Sequence, residues 1–412
     1  MVDEPADPLW RNRDFVLLWS GQAISTLGTR FSSLALPLVA LAVTRSPGQA
    51  GFIGALSFLP YLAFGLPAGA LIDRWDRKRT MTLCDLARCI AFGSVPLTVA
   101  LGRLTMPQLY LVALVDGTSF VLFNTAQAAA LPQVVQRGQL PRATSWNETA
   151  GTAATLVGPA LSGAIIGLAR TTIIGAAVAY LLDSVSYLVS ALSLTLIRTP
   201  FQATRDGEAG NATRRSLRAE IGEGLRFLWR HPQLRLVALL STAITVCESP
   251  LYLAIILLAR RELHAGAQTI GLIISVAGLG GLAGALLAPH LAGRLHIGHA
   301  LIGLVAVKAV ALPVVALATS PVMLAIGAAI VVLTGPIYNV VQLPYRLTLI
   351  PDHLQGRVNS VFRLLSYGGV SLGIAGGGLL LGSIGPRTEC WLMASGLGLT
   401  ALSASATALR RI

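Results

Sequence analysis

Twelve runs of almost uninterrupted apolar residues punctuate the chain, at about 15–43, 51–72, 80–101, 108–130, 146–168, 173–197, 234–258, 267–291, 300–318, 322–343, 358–382 and 388–409. Each is long enough, wound as a helix, to cross roughly 30 Å of hydrocarbon. Barrel strands would alternate in polarity over about ten residues, whereas these runs are continuously apolar and rich in Gly and Ala, so they read as helices. Composition agrees: 54% hydrophobic residues, 12% charged and a mean hydropathy of +0.70 lie far from soluble globular proteins. The fold class is all-α and polytopic. The opening residues, MVDEPADPLWRNRD, are polar and acidic, and the first apolar run is too long for the core of a leader, so the first helix is expected to stay in the membrane.

Charge sets the orientation. With both termini on one side, the loops of that side carry 21 Lys and Arg, and the opposite loops carry six. By the positive-inside rule both termini are expected in the cytoplasm, with the chain multi-pass in the inner (cytoplasmic) membrane. The net charge of +13 does not mark a nucleic-acid surface, because the bases are spread over seven short loops instead of forming one patch.

One long polar stretch, from Arg198 to Arg235, divides the spans six and six. Its second part has Leu217, Ile221, Leu225 and Leu228 at helical spacing, predicting an amphipathic helix along the membrane surface. The expected organisation is a six-helix bundle over 1–198, a cytoplasmic linker over 199–232 and a second six-helix bundle over 233–412. The halves look duplicated. A shift of 220 residues aligns Trp10 with Trp229 approximately, Gly51 with Gly271, Arg74 with Arg294 and Arg88 with Lys308. A shift of 215 aligns Arg142 and Ser145 with Arg357 and Ser360, Glu148 with Arg363, and Gly158 with Gly373. Charges at matching depth are the stronger argument, because charge inside a membrane is costly.

Parallel six-helix repeats describe one large transporter class, with its binding site between the repeats. The stretch GALIDRWDRKR, through Gly69, Leu71, Asp73, Arg74, Arg77, Lys78 and Arg79, resembles the signature between helices 2 and 3 of the major facilitator superfamily. Asp76 stands where that family usually has Gly. With LPAGALIDRWDRKR, GPALSG and IPDHLQGRVNSVFR, the whole chain is similar to the drug-efflux branch that includes macrolide and enterobactin exporters. The resemblance implies that this loop gates the cytoplasmic side, latching onto the start of helix 11 near Gly356 to Ser360. An aspartate such as Asp73 suits that role, since it accepts from free N–H groups at a helix start. Arg77 is expected to pair with Asp85, while Lys78 and Arg79 satisfy orientation. Arg88 and Lys308 read as structural cations that snorkel toward the cytoplasm. Glu148 and Arg363 are each expected to bond the loops of the opposite half.

Four ionisable residues lie deeper: Arg30, Asp116, Asp183 and Glu248. Each needs a partner or a hydrated cavity. The resemblance implies that helices 1, 4, 7 and 10 line a central cavity. An Arg30–Glu248 pair across it is expected, with Asp116 near the outer mouth, Glu248 as first candidate proton carrier and Asp116 as second. Asp183 reads as a static helix–helix bond. Glu248→Gln is expected to end pH-driven export with folding intact. Tyr338, Asn339 and Gln342 on helix 10 and Asn124 and Gln127 on helix 4 offer polar groups for an amphiphilic substrate. Gly158, Pro159 and Gly163 resemble the helix 5 antiporter signature of the same superfamily, with Ser162 and Ala154 departing from it.

Other signals point away from catalysis. The two lysines, Lys78 and Lys308, do not follow glycine, so no phosphate-cradling ATP loop exists and no cofactor is expected. His290, His296 and His299 come without an acid or cysteine, so no metal site is expected. The glycine runs 278–284 and 369–373 lie inside spans and read as packing, as do Cys84, Cys89, Cys247 and Cys390. Asn147 and Asn211 begin Asn-x-Thr triplets on the cytoplasmic side, out of reach of glycosylation. The reading is a monomeric secondary transporter, not an enzyme, whose partners are a small molecule, protons and the bilayer. It exports a hydrophobic or amphiphilic drug or antibiotic by proton antiport and alternating access. A dedicated siderophore or natural-product exporter, and a non-transporting membrane sensor, are the alternatives.

Overall fold

The computed structural model describes residues 8–202, 217–292 and 296–407. The middle of the linker, Asn211 and Arg294 lie outside the described residues, as do the side chains of Leu217 and Ile221. Among the described residues there is no strand. The helices are α1 (Arg13–Thr44), α2 (Pro47–Phe64), α3 (Ala68–Ile72), α4 (Arg77–Ala100), α5 (Met106–Val134), α6 (Leu140–Leu168) and α7 (Thr172–Leu196). After the linker come α8 (Leu217–Arg230), α9 (Pro232–Glu248), α10 (Leu251–Leu257), α11 (Ala267–Ala292), α12 (Ile297–Ala316), α13 (Pro321–Thr348), α14 (Asp352–Ser383) and α15 (Gly385–Ser405).

Ten described helical segments, one of them the run Pro232–Glu262 that holds both α9 and α10, are long and apolar enough to cross a membrane, against the twelve expected spans. The other two positions are α2 and α15. The chain of α2 breaks at Gly65 to Pro67 before resuming as α3, and the first turns of α15 carry Arg387 and Glu389, which dilute the apolar run. Both still pack among the ten, α2 against α14 and α5, and α15 against α12. The seventh span is also divided. Pro250 supplies no N–H, α9 stops at Glu248, and α10 runs on into a π-helical turn over Leu258–Glu262.

Polar side chains close the helix ends. Asn12, Ser46, Thr171 and Ser320 each accept from a backbone N–H three residues on, starting α1, α2, α7 and α13. Asp76 does the same for α4, accepting from Arg79 N at 2.8 Å, which explains an aspartate where the family signature has glycine. Asp76→Ala is expected to cost about 0.5–2 kcal/mol, read as a lower unfolding temperature of the purified protein in detergent. A Gly at the same place is expected to cost only a few tenths.

In the first half α1 lies against α7 and α6, and α4 against α7 and α5. In the second, α13 packs on α11 and α12, and α15 on α12 and α9. Two crossings join the halves, α2 on α14 and α6 on α11. Backbones touch at both. A Cβ on Gly51 would sit 2.6 Å from Gly378 Cα, and one on Gly163 would sit 3.0 Å from Gly271 Cα. Small residues at such crossings let helices approach closely where lipid offers no hydrophobic drive.

These crossings lie toward the end of the bundle opposite the termini. There Arg261 Nη2 donates to Arg45 O at 3.5 Å and Ala160 N to Ser275 Oγ at 3.0 Å. Nearer mid-depth, Ser371 Oγ donates to Ala55 O at 3.0 Å, and the rings of Tyr61 and Tyr367 stack with centroids 3.6 Å apart. The end that carries the termini has open space beside two glycines. Among the described residues, a Cβ added at Gly69 or at Gly356 would meet nothing within 4 Å.

Candidate functional site

A cavity of about 580 Å³ lies between the halves. Its walls come from α1, α2, α5, α10 and α14, with one residue each from α4 and α7 and the α9–α10 break on one side. Phe58, Phe92, Leu253 and Ile374 give it apolar surface, and Ser33, Ser57 and Thr245 scatter hydroxyls across it. The charged residues in its lining are Arg30, Asp116 and Glu248. A second cavity of about 200 Å³ shares Thr29 and Arg30 with it and adds Asp85, Arg88, Asn124 and Tyr187.

The charges are paired differently from the sequence expectation. Glu248 bonds Lys308 of α12, not Arg30. Asp116 meets Arg88 of α4, its Oδ1 3.1 Å from Arg88 Nε, while Arg88 Nη2 donates to the Asp116 carbonyl at 3.1 Å. The guanidinium of Arg88 also faces the ring of Tyr187, 5.1 Å from its centroid. Arg88 and Lys308 are therefore not snorkelling cations. Their side chains are 7% and 6% exposed, and each backs a carboxylate that keeps about a quarter of its surface, 27% for Asp116 and 26% for Glu248. The two bases are repeat-equivalent, but their acids come from non-equivalent spans, the fourth and the seventh. The sequence held a signal for this: two cations at matched depth each require a counter-charge.

Arg30 lies between the two cavities. Its stem runs along Gly158, where a Cβ would come within 2.9 Å of Arg30 Cγ, and its Nε is buried without a hydrogen-bond partner. Asp183 is buried, accepting from Ser32 Oγ at 2.5 Å and from Ser186 Oγ at 3.2 Å, which ties α7 to α1. Asp85 is buried and accepts from Ser190 Oγ at 2.6 Å; it does not pair with Arg77. Glu389, passed over in the sequence reading, is buried in α15 with one carboxylate oxygen unpartnered.

The helix 10 residues turn away from the cavity. Tyr338 bonds Ser241 of α9 at 2.9 Å, Gln342 is buried, and Asn339 is exposed. The reason is that α13 sits against α11 and α12, behind the wall. On α5, Asn124 reaches the smaller cavity, its amide donating to Phe120 O at 2.9 Å. Gln127 lines neither.

In the charged loop, Arg77 donates to Ala129 O at 3.0 Å and Phe201 O at 3.1 Å, and lies 3.5 Å from Asp73. Lys78 donates to Ile197 O at 2.6 Å and Thr195 O at 3.2 Å, the free carbonyl end of α7, so it does more than satisfy orientation. Arg74 is exposed. At the start of α14, Arg357 bonds Glu223 of α8 at 2.6 Å. Glu148 and Arg363 are exposed on their helices, and among the described residues neither bonds the opposite half. Within the antiporter-like stretch, Gly158 packs on Arg30, Ser162 Oγ donates to Phe31 O at 2.9 Å, and Pro159 and Gly163 face Gly271 of the other half.

Comparison with known proteins agrees with this architecture. The multidrug efflux pump Tap of Mycobacterium tuberculosis is 27% identical over 391 residues, covering 91% of this chain and 88% of that one. Macrolide efflux protein A of Streptococcus pyogenes is 26% identical over 188 residues, 45% of each chain. The crystal structure of a bacterial homologue of the iron transporter ferroportin in its inward-facing state superposes with a TM-score of 0.74 at 16% identity, over 97% of this chain and 99% of that one. A twelve-span plan with a charged loop after the second span, together with a match over residues 5–411 to the transmembrane secretion effectors, places this chain in that family of major facilitator transporters.

Proposed function

We propose that the protein is a secondary exporter that moves small amphiphilic molecules out of the cell in exchange for protons, by alternating access of one central cavity. The observation that carries this is the cavity at the joint of the two halves, flanked by two carboxylates that are each backed by a buried base. A carboxylate that exchanges a cation for a proton in a semi-dry cavity can couple proton entry to movement of the walls. The six-helix halves over 1–198 and 233–412, joined by the linker over 199–232, are the moving bodies in this reading. The close α2–α14 and α6–α11 crossings away from the termini, and the open space beside Gly69 and Gly356 near them, support an inward-open state with both termini cytoplasmic in the inner membrane. That two relatives are efflux proteins supports the direction of transport.

The test is accumulation of a drug panel in cells with and without the gene, repeated with a protonophore. Expression is expected to lower steady-state accumulation of apolar and amphiphilic compounds severalfold, and the protonophore to remove the difference. Equal accumulation in both cells across the panel would reject export. A difference that survives collapse of the proton gradient would reject proton coupling.

A further inference from the structure

Within the exporter reading, on which this rests, we infer that the central cavity selects amphiphiles with a single anionic head group, held by the guanidinium of Arg30. Three charged residues line the cavity, and two are already matched: Asp116 by Arg88 and Glu248 by Lys308. Arg30 is the remaining one. Among the described residues no carboxylate lies within ion-pair distance of it, and its Nε is buried without a partner.

A cation in such a place is poorly solvated and gains most from an anion that takes its fork of N–H groups two at a time. The side chain is also held in place. Gly158 of α6 leaves room for its stem, and Ser162 fixes α6 to α1 one residue further on, at Phe31. Thus the donor is pre-organised before a ligand arrives. The rest of the lining fits the other end of such a molecule. Phe58, Leu253 and Ile374 offer apolar contact in the same cavity, and a volume of about 580 Å³ lies in the range of drug-sized ligands. A cationic amphiphile would meet Arg30 without a spare carboxylate to offset it, since each lining acid is engaged by its own base.

The experiment uses three dansyl-labelled amphiphiles of one chain length, ending in a carboxylate, a neutral amide or an ammonium. Binding to purified protein is followed by dansyl fluorescence, and export of the same probes is followed in expressing cells. The carboxylate is expected to bind about tenfold or more tightly than the amide, with the ammonium weakest. Arg30→Gln is expected to erase the carboxylate's advantage while the amide binds as before, and Arg30→Lys to keep part of it. Tightest binding of the ammonium, or no carboxylate preference in the unsubstituted protein, would overturn the inference without any variant needing to fold. A preference that survives in Arg30→Gln would overturn the assignment to Arg30. Export of amide and ammonium without favour for the carboxylate would remove this inference and leave the exporter standing, whereas export of none of the three would count against both.

Discussion

Glu248→Gln is expected to abolish pH-driven export and also to destabilise the protein, and Glu248→Gln combined with Lys308→Met is expected to restore folding without restoring transport. The pairing of Glu248 with Lys308 is what changes the expectation from a variant that folds normally. Removing one member of a buried pair leaves the other charge without compensation, at about 3–5 kcal/mol, whereas replacing both by groups of similar volume is often neutral. Lys308 is 6% exposed, which places it in that regime. The measurements are yield and unfolding temperature of the purified variants, and export after an imposed pH step. Single variants of either residue are expected to lose most of the folded yield, the double variant to recover it, and both to show no pH-driven export. A double variant that still exports in response to the pH step would remove Glu248 as the proton carrier and pass the role to Asp116. A single Lys308→Met variant as stable as the original would show that the pair carries no structural weight.

The second large effect concerns the α6–α11 crossing. A Cβ on Gly271 would sit 3.0 Å from Gly163 Cα and 3.1 Å from the carbonyl carbon of Pro159, both backbone atoms that cannot step aside singly. Gly271→Val is therefore expected to push the halves apart at the end opposite the termini and to lower export more than about tenfold. Cysteine pairs report the geometry once the four free native cysteines are replaced. A pair at Arg45 and Arg261 samples that end, and a pair at Gly69 and Gly356 the end that carries the termini. Cross-linking of the first is expected to fall in Gly271→Val and that of the second to rise. Gly303→Val, at a position where a Cβ meets nothing within 4 Å among the described residues, serves as the control and is expected to change neither. Unaltered cross-linking with normal export in Gly271→Val would show that this crossing does not control closure.

The positions of the helices were legible in the sequence because length and continuous apolarity suffice to mark a span. What could not be read was the rotation of each helix about its axis. A helix that is apolar all round carries no stripe to say which face meets which neighbour. Glu248 was therefore set against Arg30 by its depth, while the break at Ser249 and Pro250 and the packing of α9 and α12 bring it to Lys308. The same ambiguity turned Tyr338 toward Ser241 and away from the cavity, and Asp85 toward Ser190 and away from Arg77. Asp183 is legible as a static bond from the span it occupies, because its place between Ser32 and Ser186 requires only a hydroxyl-rich neighbour. The loop motif around Gly69 is visible in the sequence as a motif, whereas the bonds of Arg77 to Ala129 and Phe201 depend on how its neighbours fold around it.

The bonds from Lys78 to Ile197 and Thr195 have a bearing on how this loop is to be manipulated. In the proposed orientation, one ammonium group serves both the topogenic bias during insertion and the clamping of a helix terminus afterwards. Neutralising it would therefore loosen the mature bundle even in molecules threaded the right way round, and a phenotype scored as inverted insertion would be partly mechanical. Only glutamine or methionine variants whose loops are first shown, by thiol labelling from each face, to lie on the proper side would isolate the second duty.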